Sequence, residues 1–230
     1  MKPLCIDLFC GLGGWSEGFL AEGYDCIGFD IERHDYGTGG YPGQLVLQDV
    51  LTLHGSQFRN AAIIVASPPC QAYSYRAMPW KRAKALPPPD NTLFEACWRI
   101  ANEARYAGGQ WREIPLIIEN VKGAQPWVGR ARWHYGSFYL WGDVPALMPR
   151  QSTWKNNGGS WFNIGSPGQR ETNRNPVHDH VKQHGSGRIW FDTGIAALGS
   201  ASDARKAAAA QIAKIPLPLS QHIARVFKPC

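Results

Sequence analysis

The sequence lacks a long apolar stretch and paired cysteines, and these absences exclude several protein classes. No apolar run in the 230 residues approaches the roughly 18 or more that a membrane span needs, and no secretory signal is visible at the N-terminus. The six cysteines show no Cys-x-x-Cys spacing, so neither a zinc nor a disulfide framework is supported. We therefore expect reduced thiols, a cytoplasmic location in a bacterium or a phage-infected host, and no membrane contact.

Metal ligands are also scarce. His178, His180 and His184 have a spacing compatible with metal binding, but no cysteine or acidic set completes a site around them. We expect no bound metal.

Acidic residues are concentrated at the start of the chain. Residues 1–50 carry eight acidic and two basic side chains, a sum of −6, whereas the whole chain has a net charge of +6, which leaves +12 for the remainder. This asymmetry suggests an acidic half that binds a small molecule and a basic half that faces a polyanion. The alternative is an ordinary solvated basic surface.

Apolar runs of strand length alternate with helical patterns in the first half. The predicted strands are residues 4–10, 24–29, 45–47, 61–66 and 114–118, and the predicted helices are residues 15–22 and 91–107. This alternation predicts an α/β fold with a doubly wound, mostly parallel sheet. The pattern fades after about residue 121 and helical character returns at residues 202–212 and 220–227. We therefore divide the chain into a catalytic and cofactor-binding domain (1–149), a short basic, irregular recognition region (150–201) and a C-terminal helical segment that packs back on the catalytic domain (202–230).

A cysteine follows one predicted strand at a stiff turn, Ser67-Pro68-Pro69-Cys70-Gln71. The two prolines prevent the apolar run before them from continuing as a helix or a central strand. Cys70 therefore stands beyond a strand end, where working residues of open α/β sheets are found. It is a candidate nucleophile, and the alternative is an inert, partly buried thiol.

A glycine loop and two carboxylates follow the other early strands. Gly11, Gly13 and Gly14 lie between the first strand and a helix, where backbone N–H groups can approach a ligand closely. Asp30 stands where a carboxylate can accept from ribose hydroxyls, and Asp49 can accept from an adenine amino group. Phe9 or Ile31 can pack on the purine. Singly these residues fit a tight turn or a helix cap, but together they favour a nucleoside ligand, and the missing dinucleotide spacing argues against NAD.

Glu119 follows the last predicted strand of this half, in Glu119-Asn120-Val121. In a doubly wound sheet it lies on the same edge as Cys70. A thiol and a carboxyl in one cleft suit attack on a pyrimidine: the thiolate adds to C6 while the acid acts at N3. Carbon 5 then accepts a methyl group from a sulfonium cofactor. The alternative for Glu119 is a capping or surface carboxylate.

Five segments, in chain order, resemble the cytosine C5-methyltransferase family: Asp7-Leu8-Phe9-Cys10-Gly11-Leu12-Gly13-Gly14, Phe29-Asp30-Ile31-Glu32, Gln48-Asp49-Val50, Pro69-Cys70-Gln71 with Ser74, and Glu119-Asn120-Val121. The resemblance implies a Rossmann-like enzyme that uses S-adenosylmethionine and acts on duplex DNA with the target cytosine flipped out. It implies that Phe9, the glycine loop, Asp30, Ile31 and Asp49 bind the cofactor. It also implies that Cys70 is the nucleophile, Glu119 acts at N3, Asn120 supports the Pro-Cys turn, and residues 72–91 form a basic loop that closes over the substrate.

The second half departs from the family pattern. Gly129-Arg130-Ala131-Arg132 resembles a Gln-x-Arg-x-Arg strand without its glutamine, and we assign Arg132 to the target cytosine or its phosphate, the alternative being two exposed arginines. Ala213-Lys214-Ile215-Pro216-Leu217-Pro218-Leu219 resembles the closing motif without its Gly-Asn pair, and it is expected to pack beside the first strand. The short recognition region interleaves arginines and lysines with tryptophans, a composition that can bind phosphates and stack bases.

The sequence thus predicts a compact DNA cytosine-5 methyltransferase of phage or restriction-modification type. Two alternatives stay open. Ser-Pro-Pro-Cys-Gln and Glu-Asn-Val-Lys-Gly also resemble the tRNA-modifying branch of the family, and a catalytically silent nucleic-acid-binding homologue would keep the same fold.

Overall fold

The structure is a computed structural model, and it describes residues 2–35, 39–76, 81–149, 206–207, 210 and 213–229. The chain divides into two compact units, and the elements below belong to the unit of residues 1–33, 41–149 and 215–230. The recognition region, the three histidines and most of the helix predicted at 202–212 lie outside the described residues. The domain boundaries at residues 150 and 202 therefore stay a prediction.

Seven strands form one sheet in the order β3-β2-β1-β4-β5-β7-β6. Strands β1 to β5 are mutually parallel, whereas β7 runs antiparallel to both β5 and β6. The strands are β1 Leu4–Leu8, β2 Asp25–Asp30, β3 Gln44–Leu47, β4 Ile63–Ala66, β5 Leu116–Asn120, β6 Trp133–Tyr135 and β7 Phe138–Gly142.

Six α-helices accompany the sheet in the described part of the chain. They are α1 Gly14–Ala21, α2 Gln71–Arg76, α3 Lys81–Lys84, α4 Thr92–Arg105, α5 Gln125–Val128 and α6 Leu217–Val226. Helix α4 is amphipathic, because Phe94, Cys97, Ile100 and Ala104 form a buried stripe at helical spacing. None of the described helices is long and apolar enough to cross a membrane.

The sheet has a separate apolar core on each face. Ile64, Leu116 and Ile118 point to the α4 side, and their sequence neighbours Ile63 and Ile117 point to the α1 side. All five are fully buried, as expected for central parallel strands covered on both faces. The observed topology confirms the predicted α/β fold with a doubly wound, mostly parallel sheet.

Helix α6 packs on α1. The hydroxyl of Ser220 donates to the Trp15 carbonyl, and the hydroxyl of Tyr24 donates to the Ala224 carbonyl at 2.9 Å. Gly18 permits this approach, since a Cβ there would overlap Ser220. The segment that resembles the closing motif therefore begins a helix packed against the helix that follows the glycine loop.

The structure changes the predicted end of strand β5 and contains two elements that the sequence patterns did not predict. Strand β5 extends to Asn120 rather than ending at Ile118, because Glu119 and Asn120 continue the ladder with β7. Helix α2 forms directly after Cys70, although no helix was predicted there. The hairpin of β6 and β7 was also missed, because its strands are only three and five residues long.

Candidate active site

The candidate site lies at the carboxyl edge of the parallel strands. Strand β1 pairs with β2 on one side and with β4 on the other, so the chain order reverses between β1 and β4. Ligands of open α/β sheets bind at such a switch point, outside the carboxyl ends of the strands. The glycine loop follows β1 and the Pro-Cys turn follows β4, which places both at this point of the sheet.

Two hydrogen bonds fix the turn that carries Cys70. The Ser67 amide donates to the Leu8 carbonyl at 3.1 Å, and the Ser74 amide donates to the Cys70 carbonyl at 2.9 Å. The turn is therefore attached to the end of β1 on one side and to the first turn of α2 on the other. Cys70 is neither fully buried nor open to solvent, as an accessible nucleophile in a cleft requires.

Asn120 holds the same turn from the neighbouring strand. Its Nδ2 donates to the Pro68 carbonyl at 2.9 Å, and its Oδ1 accepts from the Val121 amide at 2.9 Å. Asn120 is 1% exposed, so both bonds are shielded from water. The support of the Pro-Cys turn expected from the family resemblance is present.

Glu119 and Cys70 are electrostatic neighbours. Glu119 is buried in β5, and its negative charge raises the pKa of the Cys70 thiol, although burial of the thiol raises it more. A hydrogen bond from the Ser74 side chain opposes both effects. The structure thus brings together the predicted thiol and carboxyl, and both burial and the negative charge of Glu119 oppose formation of the Cys70 thiolate.

The glycine loop has left-handed backbone at several positions. Gly13 has φ 73°, and its amide donates to the Cys10 carbonyl at 2.7 Å to close the turn into α1. Phe9 is the one non-glycine residue with positive φ in the described chain, at 56°. Such a conformation costs of the order of 1–3 kcal/mol and is concentrated at functional sites, so it supports a ligand-binding role for this loop.

Asp30 ties the glycine loop to the end of β2. Its Oδ2 accepts from the Gly11 amide at 2.9 Å, and its Oδ1 accepts from the Ile31 amide at 2.8 Å. The Glu32 amide also donates to Oδ1, at 3.4 Å, so three backbone amides orient this carboxylate at the end of β2. Asp49 lies beyond β3, where its Oδ1 accepts from the Leu51 amide at 2.9 Å and caps a short 3-10 helix.

Two apolar side chains flank this edge. Ile31 follows β2 and is 74% exposed, whereas Phe9 is partly buried against the core on the α4 side. A Cβ placed on Gly11 would meet no atom of the described residues within 4 Å, so the loop faces open space in this part of the structure. Gly14 is buried as the first residue of α1. A flat, partly apolar ligand can approach the loop from this open side.

Arg132 lies apart from the thiol and carboxyl. It directly precedes β6, its amide donates to the Leu140 carbonyl at 2.9 Å, and its side chain is exposed. Because β7 separates β6 from β5, Arg132 lies about 10 Å across the sheet from the strand of Glu119, taking about 5 Å per strand. Its assignment to the target cytosine or phosphate stays a prediction.

The two ends of the segment expected to close over the substrate are joined to each other, and the second end is attached to α5. The Tyr73 hydroxyl donates to Asn91 Oδ1 at 2.9 Å, and the Asn91 Nδ2 donates to the Trp127 carbonyl at 3.2 Å. The guanidinium of Arg76 donates to the carbonyls of Pro87 and Ala72. Arg76 therefore supports the shape of the segment itself.

A tryptophan that sequence reasoning missed connects the two halves of the site. The Trp15 Nε1 donates to Ser67 Oγ at 3.1 Å, which links the first turn of α1 to the Pro-Cys turn. The only sequence signal was an indole directly after the glycine loop. Among the described residues, no group of three or more His, Cys, Asp or Glu side chains is arranged to hold a metal ion.

Comparison with protein families identifies the first half of the chain. Residues 4–126, more than half of the sequence, match the family model described as C-5 cytosine-specific DNA methylase. The chain belongs to this family. The matched region of the chain contains the glycine loop, Cys70 and Glu119, and it ends before the β6–β7 hairpin.

Individual relatives match this chain only in part. The Type II methyltransferase M1.HphI of Haemophilus parahaemolyticus is 34% identical over 84 residues, which are 32% of this chain and 23% of that protein. The Dnmt2 methyltransferase structure of S. pombe has a TM-score of 0.36 at 18% identity, covering 54% of this chain and 36% of its own. The Entamoeba histolytica methyltransferase EhMeth has a TM-score of 0.36 at 16% identity, covering 56% and 41%. This chain thus spans less than half the length of these relatives.

Proposed function

We propose that the chain is a DNA cytosine-5 methyltransferase that transfers a methyl group from S-adenosylmethionine to C5 of cytosine through a covalent bond between Cys70 and C6. The observation that carries the proposal is that Cys70, on a turn held by Asn120, is an electrostatic neighbour of buried Glu119. Membership of the C-5 cytosine-specific DNA methylase family supports the choice of cytosine and of DNA.

The residues at the switch point fit the proposed cofactor. S-adenosylmethionine would supply an electrophilic methyl group on a sulfonium. Open space at Gly11 suits its close approach, and Asp30, which the Gly11 amide holds beside the loop, would accept from its ribose hydroxyls. Asp49 would reach the adenine, and Phe9 and Ile31 would pack on it.

Catalysis begins with the thiol and the carboxyl. The target cytosine leaves the duplex stack, at a cost of a few kcal/mol, to enter the cleft. The thiolate of Cys70 attacks C6 and forms the S–C6 bond, while the ring electrons move toward C5. Protonated Glu119 donates to N3 and stabilises this electron-rich ring.

Product formation restores the nucleophile. Carbon 5 would take the methyl group that a bound sulfonium cofactor supplies, with the electron pair of the broken S–C bond left on the cofactor as a neutral thioether, and the original C5 proton is then lost to a base. The electron pair of that C–H bond re-forms the C5–C6 double bond as the S–C6 bond breaks. Cys70 leaves as a thiolate beside protonated Glu119, and return of that proton to the thiol restores the resting pair; the product is 5-methylcytosine.

Covalent trapping tests this proposal directly. In a 5-fluorocytosine duplex, fluorine replaces the C5 proton of the target base and cannot be removed by a base. The Cys70 adduct should therefore accumulate as a band that is stable to denaturing gel electrophoresis. Cys70→Ser should abolish the adduct. Cys97→Ala is the matched control, because Cys97 is a fully buried thiol in α4 that a substrate cannot reach, and its variant should still form the adduct. An adduct that persists in Cys70→Ser would overturn the mechanism.

Transfer of labelled methyl groups distinguishes the substrates. Duplex DNA and tRNA should be offered separately, and we expect incorporation into DNA. Incorporation into tRNA alone would replace the DNA assignment with the RNA-directed alternative. No incorporation and no adduct with either substrate would favour a catalytically silent binding protein.

A further inference from the structure

Tyr41 occupies the face of the sheet beneath the glycine loop. Its ring lies over Gly28 of β2, where a Cβ would overlap the ring. Gly28 is the register partner of Asp7 on β1, so the ring lies beside the Asp7 carboxyl. The described residues between β2 and β3 form no helix, and Tyr41 covers a part of the sheet that the helix of a usual parallel crossover would cover.

The neighbouring proline supports the loop itself. A Cβ on Gly13 would overlap Pro42 Cδ and would lie 2.9 Å from Tyr41 Cδ2. Gly13 is thus in contact with both residues and also has the left-handed backbone that closes the turn. Tyr41 and Pro42 therefore pack directly under the residue that leads into α1.

A chain of hydrogen bonds joins Tyr41 to the start of α1 and to β1. The Tyr41 hydroxyl lies 2.5 Å from Ser16 Oγ, and the Ser16 hydroxyl donates to Asp7 Oδ2 at 2.7 Å. Ser16 is fully buried and Asp7 is 1% exposed. The three side chains thus connect the segment after residue 40, the first turn of α1 and the strand that precedes the glycine loop.

We infer that Tyr41 is a positioning residue for cofactor binding, because its ring and hydroxyl hold the Gly11–Gly14 loop in its binding conformation from below. The inference rests on the proposed use of S-adenosylmethionine by this loop. Tyr41 acts through Gly13 and Ser16 and not by touching the reacting groups. Removing its hydroxyl should therefore weaken cofactor binding and leave the chemical step intact.

Tyr41→Phe is the informative variant, because it keeps the ring over Gly28 and deletes only the bond to Ser16. We expect the Kd for S-adenosylmethionine, measured by calorimetry, and its KM to rise about threefold to tenfold, the usual net effect of one hydrogen bond. The kcat and the KM for DNA should change less than about twofold. Ser16→Ala removes the other partner of this hydrogen bond. It should likewise raise the Kd and KM for S-adenosylmethionine while kcat stays nearly unchanged.

Tyr24→Phe is the matched control, since it removes another buried phenol hydroxyl that bonds to the Ala224 carbonyl on α6. It should lower the melting temperature without changing the Kd for the cofactor. An unchanged Kd in Tyr41→Phe would overturn the inference, as would an equal loss in Tyr24→Phe. If the wild-type chain did not bind S-adenosylmethionine at all, the proposed function would fail first, and the two failures are thereby distinguished.

Discussion

The buried carboxyl of Asp7 should make folding stability depend on pH in a way that one substitution removes. Burial raises the pKa of Asp7 from 3.8 to about 8, the Ser16 hydrogen bond lowers it, and the negative charge of Asp30 raises it further. Among the described residues Asp7 Oδ1 has no hydrogen-bond partner, so the ionised form is poorly compensated. The other titratable groups near Asp7 are the thiols of Cys5 and Cys10 and the phenol of Tyr41, and none of these is cationic.

The sign follows from proton binding. Between the unfolded and the folded pKa of Asp7, the native state holds a proton that the unfolded state releases. The contribution of Asp7 is therefore complete below pH 3.8 and is lost as the pH rises to about 8. Each pH unit in this window costs about 1.4 kcal/mol of unfolding free energy. The loss amounts to about 3 kcal/mol between about pH 5 and pH 7.

Asp7→Asn provides the comparison, because its amide is neutral at every pH. The variant carries a fixed cost of about 1–3 kcal/mol for an unsatisfied donor, but it lacks the pH-dependent loss. Urea unfolding followed by the fluorescence of the ten tryptophans gives both free energies. The free energy of unfolding of the wild type, relative to that of Asp7→Asn, should fall by about 3 kcal/mol from about pH 5 to pH 7. A difference that stays constant within about 1 kcal/mol would refute the reasoning, because it would mean that Asp7 keeps its ordinary pKa.

Three further predictions concern the thiol and its turn. Asn120→Ala should lower kcat at least tenfold and destabilise the fold by about 1–3 kcal/mol, as kinetics and urea unfolding would show; unchanged kcat would contradict its role. Trp15→Phe and Ser67→Ala should each weaken activity, and the double variant should be no worse than either; additive losses would argue against the bond. Because Glu119 and burial raise the pKa of Cys70, iodoacetamide should react slowly at neutral pH and faster as the pH rises. Glu119→Gln should shift that profile to lower pH, and an unshifted profile would exclude the electrostatic coupling.

Much of the parallel half was predictable because its strands are continuous apolar runs. The core positions of β1 and β4 are buried on both faces, so every residue of Ile63–Ala66 is apolar and the pattern cannot be misread as a surface strand. Prolines and glycines then mark the strand ends. Because ligands of open α/β sheets bind at the carboxyl ends of the strands, the signals that mark these ends also indicated Cys70 and the glycine loop as candidate site residues.

The β6–β7 hairpin shows where local patterns were insufficient. Tyr135-Gly136-Ser137-Phe138 places two turn residues between apolar ones, and Gly136 has φ 64°, which is a hairpin signal. The adjoining strands are short and rich in aromatic residues, so they carry little periodicity. Register with β5 extends the sheet, and only that tertiary pairing explains why Glu119 lies within a strand.

Long-range contacts were beyond any pattern. Tyr41 lies 25 residues from Ser16, and Trp15 lies 52 residues from Ser67, yet both pairs are joined by side-chain hydrogen bonds. Neither partner belongs to a periodic motif that would predict the contact. Such pairs depend on the crossing of whole elements, and this is why Tyr41 and Trp15 were found only in the structure, whereas Asn120 was expected from the sequence.

The proximity of Cys70 and Glu119 also restricts the order of the proposed chemistry. Forming a thiolate beside an ionised carboxylate places two negative charges in a buried site, and both burial and the charge of Glu119 oppose this. A thiolate beside a protonated Glu119 has the same total charge as the resting pair, so this state avoids the repulsion. It is also the state that cytosine requires, because C6 needs a nucleophile while N3 needs a hydrogen-bond donor. On the proposed mechanism, the Cys70 thiolate and protonated Glu119 are therefore generated together. If the entering cytosine stabilises one of these two forms, it also stabilises the other.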